Sequence, residues 1–240
     1  MRVLVTGGAG FIGSNLVRSL NQRGSNNIIV ADDLTNGRKA LNLSDLSIQD
    51  YISYKDLIPL LNEGKIENIS CIFHQGACTD TTEWDGNYMM KTNYEYSKSL
   101  LNWSLSNKVD FIYASSASVY GVKREKKVTE QLSLEPISTY NKAKMIAERV
   151  LLSYKKHMNI SIIRPATVCG VSPRMRFDVS VNMLTYQAIK NKKITVFGGS
   201  QIRPNIHIDD LLRLYIKFFS NDKKYNGIFN AGFENLSINK

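Results

Sequence analysis

Met1-Arg2-Val3-Leu4-Val5-Thr6-Gly7-Gly8-Ala9-Gly10-Phe11-Ile12-Gly13 opens the chain, and Ser14-Asn15-Leu16-Val17 follows it. A short apolar run breaks into glycines and then into a helical pattern, so the stretch reads as strand, turn and helix start. Gly8, Gly10 and Gly13 stand in G-x-G-x-x-G register. In that register one glycine makes the tight turn, the next lets backbone approach a pyrophosphate, and the third lets the helix pack closely on the strand. The helix N-terminus behind them offers unpaired N–H groups and a positive dipole end to phosphate. Gly7, Gly8, Gly10, Phe11, Ile12 and Gly13 are therefore the candidate phosphate cradle.

A second strand-like run, Ile28-Ile29-Val30-Ala31, ends in Asp32 and Asp33, at the distance where a carboxylate accepts from an adenosine ribose. The cofactor expected is a dinucleotide. NAD is preferred over NADP, because a 2′-phosphate would meet the charges of Asp32 and Asp33. Arg38 and Lys39 pull toward NADP, and Lys39 is kept among the cofactor candidates.

Strand-like and helix-like segments go on alternating, the pattern of a parallel sheet with helices on both faces. Strands are expected near 2–6, 27–31, 70–74, 109–114 and 160–164, with a further one at Leu41–Leu46. Helices are expected near 12–23, 54–62, 86–107 and 139–157. After Arg164-Pro165 the texture loosens, with short strand candidates at 194–197, 205–208 and 228–230. The expected fold is α/β: a Rossmann-type, doubly wound parallel sheet over 1–165, then a small, truncated substrate lobe over 166–240.

The chain has 240 residues, 43% of them hydrophobic, which is ordinary for a soluble domain. Its net charge of +10 sits largely in scattered lysine runs such as Lys123-Arg124-Glu125-Lys126-Lys127, without interleaved aromatics. Such a surface attracts an anionic nucleotide substrate; nucleic acid and membrane partners are not expected. Three cysteines, Cys71, Cys78 and Cys169, make no C-x-x-C pair and suit reduced thiols in a cytoplasm, with no metal site.

Thr139-Tyr140-Asn141-Lys142-Ala143-Lys144 heads a helix pattern and puts Tyr140 and Lys144 on one face. A tyrosine with its pKa near 10 is a poor base at neutral pH. A neighbouring ammonium favours the phenolate and makes it a better one. The strand Asp110–Ala114 runs into Ser115-Ser116, whose hydroxyls would share the cofactor crevice. Ser115 reads as a strand-end cap, and Ser116, Tyr140 and Lys144 as the catalytic trio.

This trio and the glycine motif resemble the extended short-chain dehydrogenase/reductase family, particularly its nucleotide-sugar epimerases and dehydratases. The resemblance implies proton transfer by Tyr140, orientation by Ser116, and phenolate and ribose binding by Lys144. No acid follows Ser116 in Ala117-Ser118-Val119, which points away from water elimination. Phe73-His74-Gln75-Gly76-Ala77-Cys78, Thr81-Thr82-Glu83-Trp84-Asp85-Gly86 and Asn93-Tyr94-Glu95-Tyr96-Ser97-Lys98 look like the family's ADP-glycero-manno-heptose 6-epimerases. By that likeness Gly76, Ala77 and Asn93 line the cofactor, and NADP gains weight, although heptose epimerases usually carry asparagine where this chain has Asp33. His74 reads as a satisfied strand histidine.

The second half departs, with Pro165-Ala166-Thr167 where heptose epimerases carry an aromatic-aromatic-asparagine run. Arg174, Arg176, Asn182 and Arg203 are the substrate-side candidates, the last because a guanidinium fork suits a diphosphate. The resemblance implies a nucleotide-sugar epimerase acting by transient oxidation, and a homodimer. The alternatives are a nucleotide-sugar reductase or a catalytically silent dinucleotide-binding protein. A shortened lobe would weaken substrate binding and leave Phe218, Phe219 and Phe229 uncovered.

Overall fold

Val3, Leu4 and Val5 have no exposed surface, because strand β1 (Arg2–Thr6) is covered on both faces. Alternate side chains leave a strand on opposite sides. Val3 and Val5 accordingly join one apolar cluster, with Leu16, Val17 and Leu20, while Leu4 joins the other, with Leu57, Leu100 and Leu151. A sheet buried on both faces needs helical layers above and below, and parallel strands joined by crossover helices provide them. The computed structural model describes residues 1–125, 127–220 and 225–239. Lys126 of the basic run lies outside them.

The main sheet has seven strands, all paired in parallel, in the order β3-β2-β1-β4-β5-β6-β9. These are β1, β2 (Ile28–Asp32), β3 (Asp50–Ser53), β4 (Ile69–His74), β5 (Asp110–Ala114), β6 (Ile160–Pro165) and β9 (Gly227–Ala231). The order reverses between β1 and β4, and that switch point opens a crevice at the carboxyl ends of the strands. One layer holds α1 (Phe11–Asn21) and α7 (Ile208–Ser220); the other holds α2 (Tyr54–Asn62), α4 (Tyr96–Asn107) and α5 (Thr139–Ser153). A smaller sheet, in the order β10-β8-β7, joins β7 (Thr167–Cys169), β8 (Ile202–His207) and β10 (Glu234–Ser237), with α6 (Ser180–Asn191) between β7 and β8 in the chain. The chain beyond residue 165 therefore serves both sheets, since β9 returns to pair with β6 and α7 packs on α1.

Leu41–Leu46 is not a strand. Asn36 caps a tight 3₁₀ turn at Gly37–Asn42 by accepting from Arg38 N–H, and the third strand forms later, at Asp50–Ser53. Leu41 is left exposed, while Leu43 and Leu46 reach the core from the turn rather than from a strand. No strand forms at 194–197, where Phe197 is exposed. The helix expected at 86–107 is α3 (Gly86–Met90) and α4 joined by a π turn at Lys91–Glu95. Phe218 is buried, stacked on Tyr225 with ring centroids 4.4 Å apart and edge-on to Phe229 at 4.8 Å. With Phe219 and Phe229 packed on the same core, the apolar surface expected there is covered.

Candidate active site

The glycine turn leaves no room for side chains. Gly7 has φ +69°, and a Cβ on Gly13 would lie 2.1 Å from the Gly7 carbonyl oxygen. Behind the turn, α1 has neither a side-chain cap nor an acidic residue in its first turn, which suits its N–H end to an anion. Asp32 ends β2 and accepts from Ala9 N–H at 2.7 Å, which ties the turn to the second strand. Its other oxygen accepts from Asp33 N–H at 2.7 Å and pairs with Lys39 Nζ at 2.5 Å. Asp33 is turned to its own loop, where hydrogen bonds from Thr35 hold its carboxyl below the usual value. A dinucleotide fits this cradle: a phosphate site where a Cβ would intrude, and a carboxylate at the ribose position.

Gly76 and Ala77 follow β4 and form the opposite wall. Asn93 stands in the π turn, and its amide holds Cys78 by both backbone groups, at 2.8 and 2.9 Å. π turns inside helices recur at functional sites, and this one carries Asn93.

Ser116 leaves the end of β5 and caps a short 3₁₀ turn by accepting from Ser118 N–H at 3.2 Å. Ser118 in turn donates to Asn141 Oδ1 at 2.6 Å, bringing the head of α5 to the serine loop. Ser138 caps α5 by accepting from Asn141 N–H. Tyr140 then stands in the crevice, only 9% exposed. Burial pushes its phenol up to about 12, against the pull of a hydrogen bond with Ser116 and the charge of Arg176. Lys144, one turn on, donates to the Ala114 carbonyl at 2.7 Å and lies over the Tyr113 ring at 4.6 Å. Burial lowers its pKa to about 7, with Glu148 opposing. The charge of Arg176, which the sequence reading placed only on the substrate side, thus favours the Tyr140 phenolate.

The chain belongs to the NAD-dependent epimerase/dehydratase family. The family model matches residues 3–232. An ADP-L-glycero-D-manno-heptose-6-epimerase of Alkalilimnicola ehrlichii is 38% identical over 96% of this chain and 75% of that protein. The Bacillus cereus UDP-glucuronic acid 4-epimerase, solved with NAD, superposes with a TM-score of 0.86 at 30% identity, over 99% of this chain and 79% of that one. The Helicobacter pylori ADP-L-glycero-D-manno-heptose-6-epimerase gives 0.85 at 28%, over 99% and 79%.

Against that family background the substrate-side residues divide. The loop after β7 is stitched to the start of α1, with Ser172 Oγ donating to the Phe11 carbonyl at 3.1 Å and Asn15 Nδ2 to the Val171 carbonyl at 3.2 Å. Arg176 in that loop is paired with Asp178 at 2.5 Å. Arg174 is exposed and donates to the Met175 carbonyl at 2.8 Å. Asn182 is buried, accepting from Gly170 N–H and donating to the Arg176 carbonyl, both at 3.0 Å. It shapes the loop that carries Arg176. Arg203 is exposed on β8, opposite Leu236 of β10.

One buried system escaped the sequence reading. Glu148, four residues beyond Lys144, receives Ser115 Oγ and is paired with Arg164 of β6 at 2.5 Å. Arg164 also donates to Tyr120 Oη at 2.7 Å, and Tyr120 to Asn230 of β9 at 2.8 Å. The network pins α5 to β5, β6 and β9. Its one sequence signal was the repeat of four, Tyr140, Lys144, Glu148; the partner was out of sight.

Proposed function

We propose that the chain is a nucleotide-sugar epimerase that works by transient, NAD-dependent oxidation of a sugar carbon, and that it acts in the cytoplasm as a homodimer. The observation that carries this reading is the meeting of Ser116 and Tyr140 at the carboxyl end of β5, one helix turn from a buried lysine and on the same sheet edge as the glycine cradle. Gly7, Gly8, Gly10, Phe11, Ile12 and Gly13 would hold the pyrophosphate, Asp32 and Lys39 the adenosine ribose side, and Gly76, Ala77 and Asn93 the opposite wall. Bound there, NAD supplies a reversible hydride acceptor, so that a sugar carbinol can be oxidised and restored with inverted configuration.

The side chains do the rest. Tyr140 takes the hydroxyl proton and later returns it. Ser116 donates a hydrogen bond to the same oxygen and holds it in line. Lys144 moves its ammonium toward the phenolate and the nicotinamide ribose, and Arg176 supplies positive charge from the substrate side. In this reading Arg174 and Arg203 bind the diphosphate, since a guanidinium can bind phosphate oxygens in pairs. The homodimer reading draws on half-buried Trp103 of α4 and Val150 of α5, with Tyr94 of the π turn.

The test is a panel of nucleotide sugars, ADP-heptose included, incubated with protein and NAD and followed by NMR. Inversion at one carbon without net change in NADH is expected. Steady accumulation or consumption of NADH would make the protein a dehydrogenase or reductase instead. Dinucleotide binding with no product from any sugar would leave a silent binding protein.

A further inference from the structure

His74 ends β4 with no exposed surface, and nothing in the proton transfer above uses it. Both ring nitrogens are engaged: Nδ1 lies 2.6 Å from Thr6 Oγ1, and Nε2 lies 2.8 Å from Ser97 Oγ. The outer bonds of the two hydroxyls settle the direction of each. Gly76 N–H donates to Thr6 Oγ1 at 3.1 Å, and Ser97 Oγ donates to the Asn93 carbonyl at 2.8 Å. A hydroxyl has one proton, and a carbonyl can only accept. Ser97 must therefore accept from the ring, which puts the imidazole proton on Nε2. Nδ1 then accepts from Thr6. The chain runs one way, from Gly76 N–H through Thr6, His74 and Ser97 to the Asn93 carbonyl.

Both ends of this chain bear on one segment. Gly76 opens it, pressed so closely on the glycine turn that a Cβ on Gly7 would lie 2.7 Å from Gly76 N. Cys78 closes it, gripped by the Asn93 amide. His74 links the two grips. We propose that His74, protonated on Nε2, is a positioning residue that sets the Gly76–Cys78 segment against the glycine turn and so shapes the wall that receives the dinucleotide. The proposal rests on the dinucleotide reading of the crevice. Burial, with the charge of Lys144, drives the imidazole pKa down to about 3, so the ring stays neutral and the chain keeps its direction. Rings of Tyr113, Tyr96 and Phe111 pack around it, with centroids 5.5, 5.9 and 5.9 Å away.

Thr6→Val keeps the side-chain shape and removes the hydroxyl, and Thr6→Ser restores it. NAD affinity is measured by calorimetry for the wild type and both variants, with ¹⁵N spectra reporting the His74 tautomer. An unpaired buried N–H should weaken NAD binding of Thr6→Val by about tenfold, with Thr6→Ser returning to within about twofold of wild type. The wild-type spectrum should show Nε2 protonated and Nδ1 bare throughout the neutral range. Unchanged NAD affinity in a Thr6→Val protein that merely melts earlier would overturn the proposal, as would an Nδ1–H ring. Should Thr6→Val fail to fold, Ser97→Ala at the other end of the chain carries the same expectation. Failure of the wild type to bind NAD would overturn the reading of the crevice itself, and the proposal with it.

Discussion

Arg164→Met tests what holds the catalytic helix in place. The Arg164 and Glu148 side chains are 2% and 1% exposed and meet through three bonds, at 2.5, 3.0 and 3.2 Å. Removing the guanidinium strands the Glu148 carboxylate in the core, with Ser115 as its remaining donor. Truncating one partner of a buried pair costs about 3–5 kcal/mol, because the other charge is left uncompensated. Each kcal/mol lowers the melting point of a domain this size by about 2–4 °C, so the expected fall is about 6–20 °C. The apolar double variant, Glu148→Leu with Arg164→Met, removes the stranded charge as well and should melt above either single variant. Calorimetric or circular-dichroism melts of the four proteins complete a double-mutant cycle. Turnover should fall in the single variants even where they fold, because Glu148 shares a helix face with Tyr140 and Lys144 and holds the neighbour of Ser116. Arg164→Met melting within about 3 °C of wild type, or a double variant showing simply the sum of the two losses, would refute the reasoning.

Tyr140→Phe should keep the wild-type melting point and NAD affinity while turnover drops by about 10²–10⁴-fold, the usual worth of a positioned acid–base group; full turnover would remove the phenol from the chemistry. Gly13→Ala places a methyl 2.1 Å from the Gly7 oxygen and 2.7 Å from Gly8 Cα, and this backbone has nowhere to go. It should cost about 1–3 kcal/mol or more and abolish dinucleotide binding; normal titration of NAD would contradict the cradle. The folded pKa of Lys144, about 7, lies below its ordinary 10.5. Between those values the unfolded chain binds a proton that the folded one has shed, so stability rises with pH across that window. Urea melts at several pH values should therefore show the wild type gaining on Lys144→Met from about neutrality upward. A gap independent of pH would show that Lys144 keeps its proton when buried.

The glycine register, the buried strand runs and the shared helix face of Tyr140 and Lys144 were legible because each is local. A spacing of two, of four or of a glycine turn fixes which face a side chain occupies before any packing is known. The same holds for Ser116, which leaves a strand at its carboxyl end wherever that strand lies. Packing decided the rest. Leu41–Leu46 has the composition of a strand, yet Asn36 caps a turn there, and β3 takes the sheet edge instead. Asn182 has the right residue type for substrate, and packing sets its amide between Gly170 N–H and the Arg176 carbonyl. Arg164 and Glu148 find each other only because β6 lies beneath α5, and Tyr120 meets Asn230 because β9 returns to the edge of β6. The tautomer of His74 depends on hydroxyls from β1 and α4 that meet only in the folded sheet. Periodicity tells a buried polar atom which way to point, but its partner is whichever strand or helix the sheet order places alongside, and that order is a property of the whole packed chain.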